Sequence, residues 1–555
     1  MKISTKPFIA LFLSRTNYTH SFINNGYEKM LKTNDLYKIR RIIELICEAE
    51  YRNSKTLSKI ALFTNVDNVG LSLFTSQRHT SYLLTAFSFN RAISTYFLGA
   101  GNLVYPLKKE WQEIFLSHGV KVSKVICSLL WKGYLILMGV KELAAYLNRV
   151  LRIIKCNFNN RIEKVDLNVD FLSVYFFDIS KRNMPTFATQ VFEKNLVTWY
   201  KKIVLSDSKI NVVHNVKDFV PSTNNNSGYK FNYFEDLFAS PKTSSEAKNL
   251  IWWFKLILNK SINLNTRINL ILNLNEIMKA KFVNDNISDI KLHSVVFNNS
   301  IGSIKPLWSI ILEENSVEIN YCFYACYAEP LDLDGNLPID GFWKLANWKN
   351  IYVVDQYQKL QLEDQIIFNS TIIVPSVIPW WTDRSLILPI SEKKTICLFD
   401  TILHSNLYTL GTLNQIGWYK ADIAIEYLST VLEVASELDM LVLYKFKRMR
   451  EESIRNKTHW NAVLKLTALY QDIIVKIDDS VSSERLILAS TVTVSKPLST
   501  TALIAKSVSK PSLYYDPTKK ISQFDPALRG IPILNKKQDL LDTMKNILIN
   551  DSRRD

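Results

Sequence analysis

Thr491-Val-Thr-Val-Ser-Lys-Pro-Leu-Ser-Thr-Thr-Ala-Leu-Ile-Ala-Lys-Ser-Val-Ser-Lys-Pro-Ser-Leu-Tyr-Tyr515 reads as one strand, helix, strand unit. The β-branched run 491–495 is a strand signal, and Lys496-Pro497 ends it. Hydroxyl residues open the helical stretch 499–508, and the aromatic run 512–515 is a second strand before Asp516-Pro517 turns the chain. The same alternation extends on both sides. Strands are expected at 395–399, 440–444 and 473–475, and helices at 418–438, 459–470, 484–489 and 538–549. Strands alternating with helices of this length give right-handed βαβ units and a parallel sheet covered on both faces. Such sheets bind ligands outside the carboxyl ends of their strands.

Upstream the texture differs. The first 160 residues read as mainly helical, with an amphipathic helix later at 246–258. From about 305, the runs 308–312, 317–324, 351–354 and 371–374 are short, apolar and rich in β-branched and aromatic residues, which predicts strands. A connector at 383–394 divides the chain into two domains, 1–390 and 391–555.

The 555 residues are 47% hydrophobic and 22% charged, which excludes global disorder. Sixty-eight Lys and Arg against 52 Asp and Glu give a net charge of +16, so an anionic partner or surface is expected. The six cysteines make no disulfide framework, and Cys322-Phe-Tyr-Ala-Cys326 reads as core thiols within an apolar strand. The seven histidines are dispersed, so no metal site is expected. The amino-terminal apolar run 7–13 opens with Pro and lacks a small-residue cleavage site, which argues against a signal peptide. The run 125–140 falls short of the roughly 20 apolar residues of a spanning helix. It is bracketed by Lys121, Lys124, Lys141, Arg149, Arg152 and Lys155. Either it is a core helix with a solvated basic face, or it lies on an anionic leaflet.

The chemistry-bearing residues cluster at predicted strand ends. Lys445-Phe-Lys447-Arg448 follows one strand and can meet a phosphate from several directions, or form a solvated basic turn. Ser499, Thr500 and Thr501 open a helix whose first N–H groups are free; they can bind an anion or cap the helix. His459, at another helix start, can donate to a ligand or cap. Tyr515 and Asp516 can touch a ribose, a base or an acceptor, although a Pro-assisted turn explains Asp516-Pro517 equally well. Asp355, Asp383, Asp400 and Asp516 are carboxylates near strand ends or the inter-domain boundary. Each is a candidate base and equally a structural residue, so no catalytic base is assigned. No phosphate-loop, dinucleotide-fingerprint or esterase motif is present.

From Ser495 to Thr518 the chain resembles the bacterial polysaccharide-biosynthesis family named for its Pro-Phe-Thr-Ser motif. Pro497, Thr501, Ala502 to Ala505, Pro511, Ser512 and Tyr514 to Pro517 match the family pattern, with Leu498 in place of Phe and Ser499-Thr500 in place of Thr-Ser. Lys445-Phe446-Lys447-Arg448 is similar to its Lys-Pro-Lys-Arg segment, and 305–308, 351–360 and Phe399-Asp400 are similar as well. The resemblance implies an α/β, GT-B-like fold: two Rossmann-like domains facing a cleft, with a helix-rich amino-terminal portion. It implies a glycosyltransferase of surface-polysaccharide and O-antigen synthesis, using a nucleotide-sugar donor and a glycan or lipid-linked acceptor. With neither a signal peptide nor a spanning helix expected, the protein is expected to be cytoplasmic, and the leaflet reading of 125–140 would make it peripheral on the inner membrane. The helix start is similar to the phosphate site of transferases that use CMP-activated sugars, so Ser499, Thr500, Thr501, Lys445, Lys447, Arg448, His459 and Tyr515 are the expected donor site. No cofactor or metal is expected. Two other classes remain. A non-catalytic scaffold of a polysaccharide assembly complex would share the fold, and a nucleic-acid-binding protein would use the positive charge, although that charge is spread along the chain without a reading motif.

Overall fold

The structure, a computed structural model, describes residues 106–158, 170–177, 196–214, 228–230, 244–259, 264–298, 304–323, 325–326, 331, 341–344, 346–366, 368–376, 393–399, 421–445, 457–477, 481 and 483–552, with scattered positions between 42 and 78. Two parallel sheets organise these residues. The first runs in the order β3-β2-β1-β4-β5-β6-β7, built from β1 (Leu172–Phe177), β2 (Ile210–His214), β3 (Gly228–Lys230), β4 (Ser294–Asn298), β5 (Glu318–Cys322), β6 (Asn350–Tyr352) and β7 (Thr371–Ile373). The second runs β10-β9-β8-β11-β12-β13, from β8 (Thr395–Phe399), β9 (Leu441–Lys445), β10 (Ile474–Ile477), β11 (Val492–Ser495), β12 (Ser512–Tyr515) and β13 (Ile533–Leu534). In both, the first strand lies in the middle and the fourth returns to its other side. This is the two-Rossmann, GT-B-like layout that the resemblance implies.

Burial explains why these runs became strands. All five residues of β8 are buried, as are the first four of β4, because helices cover both faces of each sheet. On one face of the second sheet, Tyr427, Leu428 and Val431 of the helix Ala421–Glu437 pack on Ile396, Leu398, Val442 and Val494. The other face belongs to an apolar cluster that crosses between the halves. It joins Cys397, Phe399 and Leu443 with Trp308, Phe323, Trp343 and Trp348 of the first half.

The structure corrects the upstream expectations. Four of the seven strands of the first sheet precede residue 300, where the sequence suggested helices and few strands. The run 308–312, expected as a strand, belongs to the helix Leu307–Glu314. Residues 307–312 of it are buried, so it carries no helical polarity pattern, and period alone cannot separate such a run from a buried strand. The first sheet ends at Ile373 and the second begins at Thr395; the boundary placed near 390 lies outside the described residues. So does the amino-terminal run 7–13.

The run 125–140 belongs to a single helix, Lys124–Phe158. Gly139 lets it approach the helix Leu264–Leu272, since a Cβ there would come within 3.0 Å of Ile271. Its buried face carries an ion pair. Arg149 Nη2 donates to Glu246 Oε2 at 2.9 Å, Tyr146 donates to the same oxygen at 2.9 Å, and both charged side chains are buried. The guanidinium lies between the rings of Tyr146 and Phe282, 5.3 and 5.4 Å from their centroids. Removing one partner strands a buried charge. Glu246→Ala should therefore cost about 3–5 kcal/mol, whereas Arg149→Met with Glu246→Leu should cost far less. Urea unfolding of both variants checks this, and equal losses would contradict it.

Candidate functional site

The crossover from β10 back to β11 makes the carboxyl ends of β8 and β11 the switch point of the second sheet, where such sheets hold ligands. The register fixes what meets there. Phe399 pairs with Lys445 and Leu398 with Val494, while Ser495 pairs with Tyr514. Lys445, Phe399, Ser495 and Tyr514 thus form one row on one face. Adjacent strands lie about 4.8 Å apart, so the backbones of Lys445 and Ser495 are separated by about 10 Å.

After β11 the chain turns through Leu498, whose φ of +58° is left-handed and unfavourable for a branched side chain. Its side chain is buried in the cluster between the halves, which holds it there. Ser499 follows as the first flanking residue of the helix Thr500–Ser507, with extended backbone and no side-chain capping bond. Its hydroxyl lies 3.2 Å from that of Thr501, which lies 3.0 Å from that of Ser495. The hydroxyls therefore bond one another, and the first-turn N–H groups carry no side-chain cap. Thr500 is engaged differently: its hydroxyl oxygen accepts the backbone N–H of Cys326 at 3.0 Å, across to the first half.

The opposite face of the same sheet holds another set. Lys496 is buried with its ammonium 5.5 Å from the Tyr427 ring centroid, and Tyr427 donates to the Val494 carbonyl at 2.9 Å. His459, in the helix Lys457–Leu469, is buried. Its pKa is pushed down to about 4, chiefly by burial and secondly by Lys496. Tyr515 is also buried on this face, 6.3 Å from the Tyr427 ring, and burial raises its hydroxyl pKa. Of the expected donor residues, Lys445, Ser499, Thr500 and Thr501 gather around the row at the strand ends. His459 and Tyr515 lie on the other face, and Lys447 and Arg448 lie outside the described residues.

The four carboxylates separate as well. Asp516 is fully buried and holds its own turn: one oxygen accepts from the Thr518 N–H and hydroxyl at 2.9 and 2.6 Å, the other from the Lys520 N–H at 3.2 Å. Asp355 caps the helix Gln356–Gln365 by accepting from Gln358 N–H at 2.9 Å. It also receives Arg529 Nε at 2.6 Å and Nη2 at 3.2 Å, a bridge between the two halves. Asp383 and Asp400 lie outside the described residues.

Sequence reasoning missed Arg529, whose guanidinium stands 4.6 Å from the Tyr357 ring centroid, and Tyr514, whose buried hydroxyl has no hydrogen-bond partner among the described residues. No local pattern marks Arg529, whereas Tyr514 stands in the matched motif 514–517 and was passed over for its neighbour Tyr515. Lys496 was visible as a cation directly past a strand. Burial pushes the Cys326 thiol up to about 12 and raises that of Cys322 still further, so neither is a thiolate at neutral pH. Among the described residues no group of three or more His, Cys, Asp or Glu is placed to hold a metal ion.

Two parallel sheets in Rossmann order thus meet a hydroxyl-lined helix start at a switch point. The chain belongs to the polysaccharide biosynthesis PFTS motif protein family, whose model matches residues 256–544, more than half of the 555. No curated protein matches it by sequence. Among solved structures it is similar to sucrose-phosphate synthase from Thermosynechococcus elongatus, at 9% identity and TM-score 0.37, over 69% of this chain and 90% of that one. It is similar to α,α-trehalose 6-phosphate synthase from Burkholderia multivorans at 9% identity and TM-score 0.36, over 68% and 89%. A third is the wall teichoic acid polymerase TagF, at 12% identity and TM-score 0.34, over 73% and 88%. Likeness at this level says nothing of what this chain binds.

The burial of His459 has a pH consequence. Its folded pKa lies below the unfolded value, so the unfolded chain takes up the proton first. The stability contributed by neutral His459 is complete above about pH 6.5 and is lost as pH falls from there towards 4. Between about pH 7 and pH 4.5 the wild type should lose on the order of 2–3 kcal/mol more than His459→Gln. Urea unfolding at both pH values measures it, and parallel losses would mean a solvated imidazole.

Proposed function

We propose that the chain is a glycosyltransferase of bacterial surface-polysaccharide synthesis. It moves a sugar from a nucleotide-activated donor, CMP-linked by the resemblance of its helix start, to a glycan or lipid-linked acceptor. The observation that carries this reading is the uncapped start of the helix Thr500–Ser507 at the switch point, lined by the hydroxyls of Ser495, Ser499 and Thr501. Family membership supports the substrate class, and the strand order supports a nucleotide donor.

The chemistry follows from charge. As the bond between the anomeric carbon and the phosphate oxygen breaks, negative charge collects on the departing nucleotide phosphate. First-turn N–H groups and the positive end of the helix dipole meet that charge, with Lys445 on the same face. Lys447 and Arg448, next along the chain, extend the cation set in this reading. His459, neutral at pH 7, and Tyr515 support the opposite face. Stabilisation of this kind asks for no metal ion. Asp355 and Asp516 are tied to other partners, so of the four carboxylates Asp383 and Asp400 are the ones this reading keeps as candidates to receive the acceptor proton. A cytoplasmic nucleotide sugar and a lipid-linked acceptor would bring the chain to the inner face of the inner membrane.

Calorimetric titration with CMP, UDP and GDP tests the reading. CMP should bind, and Thr501→Ala and Ser499→Ala should each weaken it about tenfold or more. A hydrogen bond to a charged group contributes about 1.5–3 kcal/mol, and about 1.4 kcal/mol is tenfold. Lys445→Ala should lose more, since it removes a charge. Unchanged affinity in folded variants, or no response to any of the three nucleotides, would sink the reading. Nucleotide binding without transfer to any glycan would instead mark a non-catalytic scaffold.

A further inference from the structure

We infer that the outer face of the helix Lys124–Phe158 is a docking surface for an anionic lipid bilayer, on which the helix lies flat. This rests on the helix alone and stands apart from the donor chemistry. At 1.5 Å per residue its 35 residues extend about 50 Å. Val125, Leu129, Ile136, Val140, Leu147 and Leu151 recur at spacings of four and seven, which at about 100° per residue confines them to an arc of about 80°. Val125, Leu129, Ile136 and Val140 are 62–73% exposed, and Leu147 and Leu151 are exposed as well. Between them stand the exposed Gly133 and Ala144, so no polar side chain interrupts the stripe. A row of apolar side chains this long is not the scattered exposure of an ordinary surface.

Charge selects the occupant. Exposed Lys132 borders the stripe on one side, with Lys141 and Arg152 beyond the other. Glu142 is the one acidic residue of the helix, and it is buried on the inner face. There it accepts the Asn275 N–H and lies 3.7 Å from Arg78. An apolar stripe between cations, without an outward carboxylate, matches acyl chains below and anionic head groups beside them. A second copy fits worse. Two such faces would set Lys132 and Lys141 against their counterparts with no outward carboxylate on the helix to pair them, the nearby Glu113 being engaged with Lys124 at 3.0 Å, in a chain already at +16. No helix among the described residues is long and apolar enough to cross a membrane, so the helix rests on the bilayer surface.

Flotation of the full chain with vesicles tests this. The wild type should float with phosphatidylcholine vesicles containing about a quarter phosphatidylglycerol, weakly with pure phosphatidylcholine, and less as salt rises. Ile136→Asp with Val140→Asp should abolish flotation. Lys132→Gln with Lys141→Gln should lower partitioning roughly 30-fold, about fivefold for each cation near an anionic surface. All four positions are exposed, so unchanged circular dichroism and melting are expected and verify the fold. Three results would each overturn the assignment: no flotation of the wild type, flotation retained in both variants, or equal flotation with neutral vesicles. So would a concentration-dependent dimer, seen by sedimentation, that the aspartate variant abolishes in the absence of lipid binding.

Discussion

A parallel sheet places every strand's carboxyl end on the same edge, and here the first strand of each sheet lies in the middle. In the second sheet, β8, β9 and β10 step outward to one side, and β11 must then return to the other side of β8. Right-handed crossovers put the helix after β8 and the helix after β11 on opposite faces. The side chains agree. Tyr427 and Leu428 pack on one face, and Ala502 and Leu503 on the other. Two helices leaving adjacent strands in opposite directions open a crevice that the sheet cannot fill. The amino end of the helix Thr500–Ser507 stands at that crevice because the topology leaves it nowhere else to stand.

The crevice is also where the halves meet. The apolar cluster running from Trp308 and Trp348 to Leu443, Leu498 and Ala502 supplies the attraction, since burial of large side chains outweighs a few polar contacts. The polar contacts fix orientation. Asp355 receives Arg529, Asp525 accepts the Leu331 N–H at 2.9 Å, and Thr500 accepts the Cys326 N–H. An ion pair with one partner about a quarter exposed adds modest stability, but its two-point geometry permits one approach of the halves. Thr500 matters most among them. It belongs both to the helix start and to the contact, so any separation of the halves releases a hydroxyl oxygen at the crevice.

The carboxyl-terminal half was readable because its strands are short apolar runs set between amphipathic helices and punctuated by Pro, Asp and Ser. Nearly every element from Thr395 onward falls within a few residues of its expected place. Among the described residues, β13, two residues long, and the 3-10 turn Pro526–Leu528 gave no signal. The first half hid its sheet. β1, β2 and β4 lie far apart in sequence, and β3 is three residues long. The Trp308 run shows the limit of periodicity: a helix buried on all sides looks like a strand. At the site, residue types were legible and partners were not. The Ser499 hydroxyl turns to Thr501 and not to a capped N–H, and Thr500 bonds a residue 174 positions away. Likewise, no local pattern could announce that Asp355 belongs to Arg529.

The helix Lys124–Phe158 poses the reverse question, because apolar residues on nearly every side leave its rotation unspecified by hydrophobicity. Specific contacts settle it. Gly139 admits the helix Leu264–Leu272, Tyr146 and Arg149 reach Glu246, and Glu142 faces inward to Asn275 and Arg78. A buried ion pair adds little net stability over an apolar pair, yet it rejects every rotation that would leave a charge unpaired. With rotation fixed by the inner face, no contact among the described residues asks for apolar side chains on the outer face. Polar residues there would serve the chain's own stability and solubility as well or better. Outward Val, Leu and Ile at these positions are what the bilayer inferred above would use.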